Sequence, residues 1–578
     1  MHPEQLFPFL SWLKDYNATQ LKGDLIAGLT IGVVLIPQGM AYAMLGGMPP
    51  IYGLYAGLVP LLVYTLFGTS RYLAVGPVAM DSLLVAAGVG LLAEMGSEHF
   101  ISLAITLALL VGGLQILLGV FRLGFLVNFL SQPVVSGFTS AAAIIIGLSQ
   151  LKYLLGIDIA RSNRLHEILF STFQQLDHIN WLTFCIGILG IAMIKLLKKI
   201  HHFVPAALLT VIAASLCVYY TNLPQYGVQI LGAVPSGLPH FQLPNLDFDT
   251  FNNLWSAALT LAFIGFMESV AIGKALQGKK RDHEIDPNKE FIALGLANLG
   301  GAFFQAYPVA GSFSRSAIND SVGGKTPMTG LIAASLLGLT LLYFTHLFFY
   351  LPHAVLASII MASVFGLIDI KEAHFLWQSN KYDLTMMVIT FLVTLFVGIK
   401  EGILVGVLLS LGVMIYRSST PNVAVLGRLP DTRYYRNKER FDEVKIREDI
   451  MIVRFDAQLY FANVAYFKDS LQILIKEKGS QLKLLIISGS SINRIDSSGM
   501  HAIQEVLQIY QQQGIRVCFT KLIGPVRDSL YKSGLIEKIG KENIFLHIQD
   551  AVDFFDESVQ NQPLAQKNKE RALQTDVE

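Results

Sequence analysis

The chain has 578 residues, of which 53% are hydrophobic and only 15% charged, with a formal net charge of +1 and a mean hydropathy of +0.51. Soluble domains carry nearer a quarter charged residues, so this composition excludes an ordinary soluble enzyme or nucleic-acid binder and indicates a polytopic membrane protein. The charges are segregated: before about residue 420 they lie in loops, and after it they are dense, which marks a membrane domain followed by a soluble one.

Residues 1–23 lack the short apolar core and small-residue cleavage site of a secretory signal, so they read as a cytoplasmic segment and the first span acts as its own insertion signal. About fourteen apolar segments follow, near 24–45, 50–67, 77–93, 101–120, 126–150, 181–197, 204–220, 254–275, 290–305, 312–322, 327–350, 352–368, 383–399 and 402–416. With the N-terminus inside, one set of loops collects Lys14, Lys22, Arg71, Arg122, Lys195, Lys198, Lys199, Lys274, Lys279, Lys280, Arg281, Lys289, Lys325, Lys371, Lys381 and Arg417, whereas the other side holds only Lys152, Arg161, Arg164 and Lys400, and its loop at 221–253 has no Lys or Arg. The positive-inside rule then predicts an even number of crossings of the cell membrane with both ends cytoplasmic. In that orientation the Asn17-Ala18-Thr19 sequon faces inward and is a chance match.

The third and tenth segments are interrupted where the chain is deep in lipid. The third opens with AVGPVAMDS (74–82), whose Pro77 suits a first helical turn, and the tenth with AGSFSRS (310–316), where Ser312 or Ser314 suits a helix cap. Each lies two segments into its half of a seven-plus-seven arrangement, the pattern of an inverted-repeat transporter with a midplane site. Two half-helices whose N-termini face each other present about +0.5 charge apiece and unpaired N–H groups. The hydroxyls of Ser312 and Ser314 and the charge of Arg315 fit such a pocket to a small oxyanion; the structural alternative is close helix packing, with Arg315 snorkelling to the surface.

Glu268 is an acid deep in a full-length apolar segment and is expected to be protonated, wetted, or paired, with Arg315 as the natural partner. Two helix ends plus Arg315 total about +2, which balances a dianion when Glu268 is neutral; its proton then travels with the anion, and a purely structural Glu–Arg pair is the alternative. Asp81, a few residues into the third segment, complements the helix dipole without touching substrate. Gln38 and Tyr42 are one turn apart on one face, placed either to line the pocket or to pack between helices. Cys185, Cys217 and Cys518 have no metal-ligand spacing and read as core residues, and no cofactor or metal motif is present.

After Pro421 the pattern becomes α/β, with strands at 450–455, 482–488 and 515–520 and helices at 465–479, 495–514, near 524–533 and near 550–558. Asp496-Ser497-Ser498-Gly499 reads as a helix cap or as a phosphorylatable or nucleotide-contacting turn. The domain boundaries are therefore 1–23, a membrane domain at 24–420, an α/β domain at 435–558 and a disordered tail at 559–578.

The stretches LIPQGMAYAMLGGMPPIYGLYAGLVPLLVYTLFGTSR (35–71), VGPVA (75–79), GFMESVAIGKAL (265–276) and GSFSRSAINDSVGGKTP (311–327) resemble the sulfate permease (SulP) family of anion transporters, and the part containing IDSSGMHAI (495–503) resembles its STAS domain. The resemblance implies fourteen segments in two inverted repeats, with a core group (1–4 and 8–11) that moves against a gate group (5–7 and 12–14) in an elevator-like cycle. It further implies a homodimer and an anion site at Gln38, Tyr42, the backbone of Val78 and Ala79, Phe313, Ser314 and Arg315, to which the helix-cap reading adds Ser312. Ile272, one turn after Glu268, departs from the sodium-coupled pattern. The expected function is proton-coupled sulfate uptake, with bicarbonate or a dicarboxylate as rival substrates, and an uncoupled channel or exchanger, or a sensor with the STAS domain as output, as rival classes.

Overall fold

The computed structural model of the chain describes residues 8–14, 16–125, 131–159, 164–200, 205–245, 247–280 and 285–558; the tail expected to be disordered lies outside them. Each of the fourteen apolar segments contains a helix: α1 (Ala18–Leu45), α2 (Pro50–Phe67), α3 (Ala79–Val89), α4 (Glu98–Val120), α5 (Gln132–Ser149), α6 (Trp181–Ile200), α7 (Ala206–Thr221), α8 (Phe248–Lys280), α9 (Pro287–Ala302), α10 (Phe313–Val322), α11 (Met328–Leu339), α12 (His353–Val364), α13 (Lys381–Phe396) and α14 (Ile399–Ser419). Among the described residues, seven helices are long and apolar enough to cross a bilayer. The interrupted α3 and α10 have 11 and 10 residues, about 15–17 Å at 1.5 Å per residue, or half of a roughly 30 Å hydrocarbon core.

Asn17 is the N-cap of α1: its Oδ1 accepts the Gln20 N–H at 3.0 Å, and its own N–H donates to Gln20 Oε1 at 3.1 Å. A capping box accounts for that Asn. Pro77 precedes its helix rather than occupying the first turn, because Val78, in an extended conformation, is the N-cap of α3.

Helices α1–α4 and α8–α11 pack chiefly with one another, and α5–α7, α12 and α13 form a second group; α12 and α7 against α1, and α5 against α3, join the two. The partners exchange when seven is added to each helix number: α4 packs on α9 as α11 packs on α2, α1 on α11 as α8 on α4, and α5 on α13 as α12 on α6. A pseudo-two-fold repeat is thus written into the packing. Close approach depends on small residues. A Cβ on Gly53 of α2 would lie 1.9 Å from the carbonyl oxygen of Gly39 on α1, so those backbones touch.

The α7–α8 connection is held as a ribbon against the α11–α12 connection. Leu231 N–H donates to Leu351 O (2.9 Å), Gly232 N–H to Phe349 O (3.1 Å) and His353 N–H to Gln229 O (3.1 Å); Gly237 N–H then reaches Leu341 O just past the end of α11 (2.9 Å).

The chain divides into two compact units, Met1–Ser410 and Leu411–Glu578. The second is built on a six-stranded sheet in the order β4-β3-β5-β6-β7-β8, comprising β3 (Val423–Arg428), β4 (Tyr435–Asn437), β5 (Ile450–Phe455), β6 (Leu484–Ser488), β7 (Arg516–Thr520) and β8 (Ile544–Phe545). β5 to β8 run parallel, and β3 joins β5 antiparallel. Strand alternation sends Val453, Phe455, Leu485, Ile487, Val517 and Phe519 to a face covered by α15 (Val464–Lys478), α16 (Ser497–Gln512), α17 (Gly524–Lys532) and α18 (Leu535–Ile539). Ile452, Leu484, Ile486 and Cys518 go to the other face, beneath the helix at 548–558. Asp496 caps α16 by accepting the Gly499 N–H at 2.8 Å. The sequence reading lacked β3, β4, β8 and α18; the last three have two to five residues, too few for a period to register.

The cysteine expectation needs correction. Cys518 is buried, but Cys185 and Cys217 are exposed on α6 and α7. Lipid is as apolar as a protein core, so an apolar helix does not reveal which of its faces is inward. Two measurements follow. Gly53→Ala forces α1 and α2 apart and lowers the melting temperature of the purified protein, at a cost of about 1–3 kcal/mol; an unchanged melt would refute that contact. Burial pushes the Cys518 thiol up to about 11, so the reactive thiolate is almost absent at neutral pH. Cys518 therefore resists maleimide in the native protein at pH 7.5 and labels only after denaturation, read by peptide mass spectrometry.

Candidate functional site

The two chain breaks meet. β1 (Val75–Gly76), just before α3, pairs antiparallel with β2 (Ala310–Gly311), just before α10, in the register Val75↔Gly311 and Gly76↔Ala310. Ser312 N–H continues the pairing to Ala74 O (2.9 Å), and the Ala74 N–H donates to Ser316 Oγ (2.9 Å). Extended backbone in a membrane has no water to satisfy it, and each break supplies the other's partners.

Buried side chains hold the pair from both sides. Asn298 of α9 accepts the Val309 N–H at Oδ1 (2.8 Å), while its Nδ2 donates to Val309 O (3.1 Å) and to Gln115 Oε1 of α4 (3.0 Å). Ser269 of α8 accepts the Gly311 N–H at 2.8 Å, and Asn319 of α10 donates to Tyr72 O at 3.0 Å. Upstream, the buried Glu290 of α9 accepts from Tyr64 Oη and from the Thr69 N–H (3.1 Å), fixing the turn that leads into β1. None of Asn298, Gln115, Ser269 and Glu290 stood out in the sequence. The one available signal is a lone amide or acid within an apolar run, which does not reveal what it faces.

From these strands α3 and α10 start with their N-termini at the same place, and the first N–H groups of each have no acceptor within their own helix. Ser312 is the N-cap of α10; its Oγ accepts the Arg315 N–H (3.5 Å) and lies 3.4 Å from Ser314 Oγ. Val78 and Ala79 are buried at the start of α3, and Gln38 and Tyr42 are buried on α1. Ser314 is exposed, as is Phe313 at 59%.

Arg315 is 0% exposed, so it does not snorkel. Its Nη1 donates to Gln38 Oε1 at 3.5 Å, whereas Nε and Nη2 are without a hydrogen-bond partner. Nη2 sits over Gly76, whose Cβ would be 3.2 Å away and whose φ of +153° also disfavours a side chain. Glu268 is half-buried on α8 and within Coulombic reach of Arg315, yet forms no ion pair with it. The expected Glu268–Arg315 contact is thus corrected: the side chain that reaches Arg315 is the neutral Gln38, which leaves the cation's charge uncancelled by direct contact. Asp81 is in the first turn of α3, as the dipole argument expects, but it is 2% exposed with Oδ1 unpartnered. Among the described residues no cluster of metal-ligating side chains occurs.

Comparison with known proteins decides the family. The Sulfate permease family matches residues 21–390, and the STAS domain matches residues 443–551. The chain belongs to the sulfate permease family. That family is one of permeases, not enzymes. Sulfate transporter 4.1, chloroplastic, of Arabidopsis thaliana is 40% identical over 582 residues, covering 98% of this chain and 84% of the relative. High affinity sulfate transporter 2 of Stylosanthes hamata is 35% identical, covering 95% and 86%. Among solved structures, the murine Solute Carrier 26 family member A9 anion transporter in its inward-facing state superposes with a TM-score of 0.87 at 26% identity, covering 95% of this chain and 94% of that one. The membrane fold with a C-terminal STAS domain is therefore shared along nearly the whole length.

One consequence concerns the scaffold of the permease. Asn298→Ala leaves the buried N–H and C=O of Val309 unpartnered, each worth about 1–3 kcal/mol. The variant should melt lower than wild type and lose at least tenfold in anion affinity as β2 loosens. Unchanged affinity in a folded variant would show that Asn298 does not position the site.

Proposed function

We propose that the chain is a secondary active transporter that takes up sulfate together with protons, working by elevator-type alternating access as a homodimer with both ends cytoplasmic. The observation that carries this reading is Arg315: a fully buried guanidinium with two unpartnered nitrogens, at the first turn of one half-helix and over the strand that leads into the other. Unpaired buried charge is costly, so this arrangement calls for an anion. The proposed binding set is Gln38, Tyr42, the backbone of Val78 and Ala79, and Ser312, Phe313, Ser314 and Arg315, with Glu268 as the coupling residue. Relatives named as sulfate transporters, at 35–40% identity over most of the chain, support the choice of sulfate.

Helix ends and Arg315 supply about two positive charges, which match a dianion only while nearby carboxyls are neutral. A proton on Glu268 therefore accompanies sulfate in and leaves when the site faces the less acidic side. Each pH unit of gradient is worth about 1.4 kcal/mol, a factor of ten in accumulation per coupled proton.

Proteoliposome uptake of radiolabelled sulfate, with proton and sodium gradients imposed separately, tests this. An inward proton gradient should drive accumulation that a sodium gradient does not, and Glu268→Gln should weaken the dependence on pH. Wild-type pH dependence in Glu268→Gln would overturn the coupling role, and preferential uptake of bicarbonate, a dicarboxylate or chloride would overturn the substrate.

A further inference from the structure

Asp81 alters the charge balance of this site. Its carboxyl is buried to within 2% of full enclosure, and Oδ1 has no hydrogen-bond donor. It lies in the first turn of α3, at the end that faces α10. The carboxyl presses on α8 at Gly265, where a Cβ would lie 3.3 Å from Asp81 Oδ2 and 3.1 Å from Ala310 Cβ of β2. Gly265 is one helical turn before Glu268, so α8 brings both carboxyls to one place, within Coulombic reach of each other. The neighbouring Ser82 Oγ is 3.2 Å from Tyr307 Oη, on the segment that leads into β2.

The ionisable groups around Asp81 are few. Glu268 of α8 and Tyr307 of the segment before β2 are within Coulombic reach of it. Arg315 of α10 and Tyr42 of α1 act on those two groups. Of the other helices packed on α3, α5 has no ionisable side chain, and α4 has only Glu98 and His99, both in its first turn. Among the described residues no cation contacts Asp81. With Glu268 and Asp81 both charged, the pocket's roughly two positive charges are already cancelled, and a dianion would enter against no net attraction. With only Glu268 neutral, one negative charge still remains. Both carboxyls have to be neutral before the pocket matches a divalent anion.

We propose that Asp81 is a second proton site in the anion pocket, so that each sulfate crosses with two protons, one on Glu268 and one on Asp81. This rests on the sulfate–proton reading above and adds its stoichiometry. Conservation of charge follows: two protons and one sulfate make an electroneutral cycle.

The test is a flux-reversal measurement in proteoliposomes with the voltage clamped at zero. Against a hundredfold outward sulfate gradient, net flux stops at about one pH unit when two protons are coupled and at about two units when one is. Wild type should null near one unit, and Asp81→Asn, which keeps the shape, near two. Should Asp81→Asn not fold, proton uptake on adding sulfate to wild type in weak buffer gives an independent count, expected near two per sulfate bound. Wild type and variant that both null at two units, or one proton per sulfate bound, would overturn Asp81 while leaving single-proton coupling by Glu268 intact. Wild-type flux that pH does not null at all would instead defeat the proton-coupled reading itself.

Discussion

Everything in the membrane domain depends on four residues of extended backbone paired across the repeat. A helix interrupted in lipid leaves N–H and C=O groups with nowhere to go. Val75–Gly76 and Ala310–Gly311 solve this for each other, and the solution fixes where α3 and α10 begin. Because the pairing is antiparallel and its register exchanges the two halves, the N-termini converge by symmetry. The electropositive focus is thus a by-product of satisfying the backbone. Asn298, Ser269, Asn319 and Ser316 extend the same logic outward, each spending a buried polar group on main chain near the breaks.

Arg315 adds a full charge to this frame. Its guanidinium is tied only to Gln38 by side-chain hydrogen bonding and sits against Gly76 of the opposite break. A neutral amide can orient the fork without cancelling its charge, which a carboxylate partner could not do. The nearby acids make no ion pair with it, so their charge state sets the field of the pocket without tying up the guanidinium.

Much of this was legible in the sequence for simple reasons. Hydropathy placed fourteen helices because lipid demands long apolar runs, and Pro77, Ser312 and Arg315 exposed the two breaks because helix-starting and charged residues are costly at that depth. In the C-terminal domain, IMIVRF at 450–455 became β5 over the same residues, since a continuous apolar run flanked by charge has few other fates. What stayed hidden was rotation. The helices are apolar all round, so no period says that Asn298 points at Val309, that Cys185 points away from the core, or that Glu268 stops short of Arg315. Asp81 was placed correctly along the chain, yet its enclosure against Gly265 arises from a contact between elements some 180 residues apart, roughly, and no local pattern carries that.

The ribbon formed by residues 229–232 and 349–353 has a mechanical consequence. Both strands leave one helix group and enter the other, so these two of the connections between the groups are tied together rather than acting as independent tethers. After Gly232 the first strand runs for four residues, 233–236, before Gly237 is fastened to Leu341, just past α11. Fully drawn out, that stretch spans at most roughly 18 Å between its anchors, and Pro235 stiffens it. While both fastenings hold, the stretch between Gly232 and Gly237 limits how far Phe349 and Leu341 can separate, so one short loop braces the turn between α11 and α12.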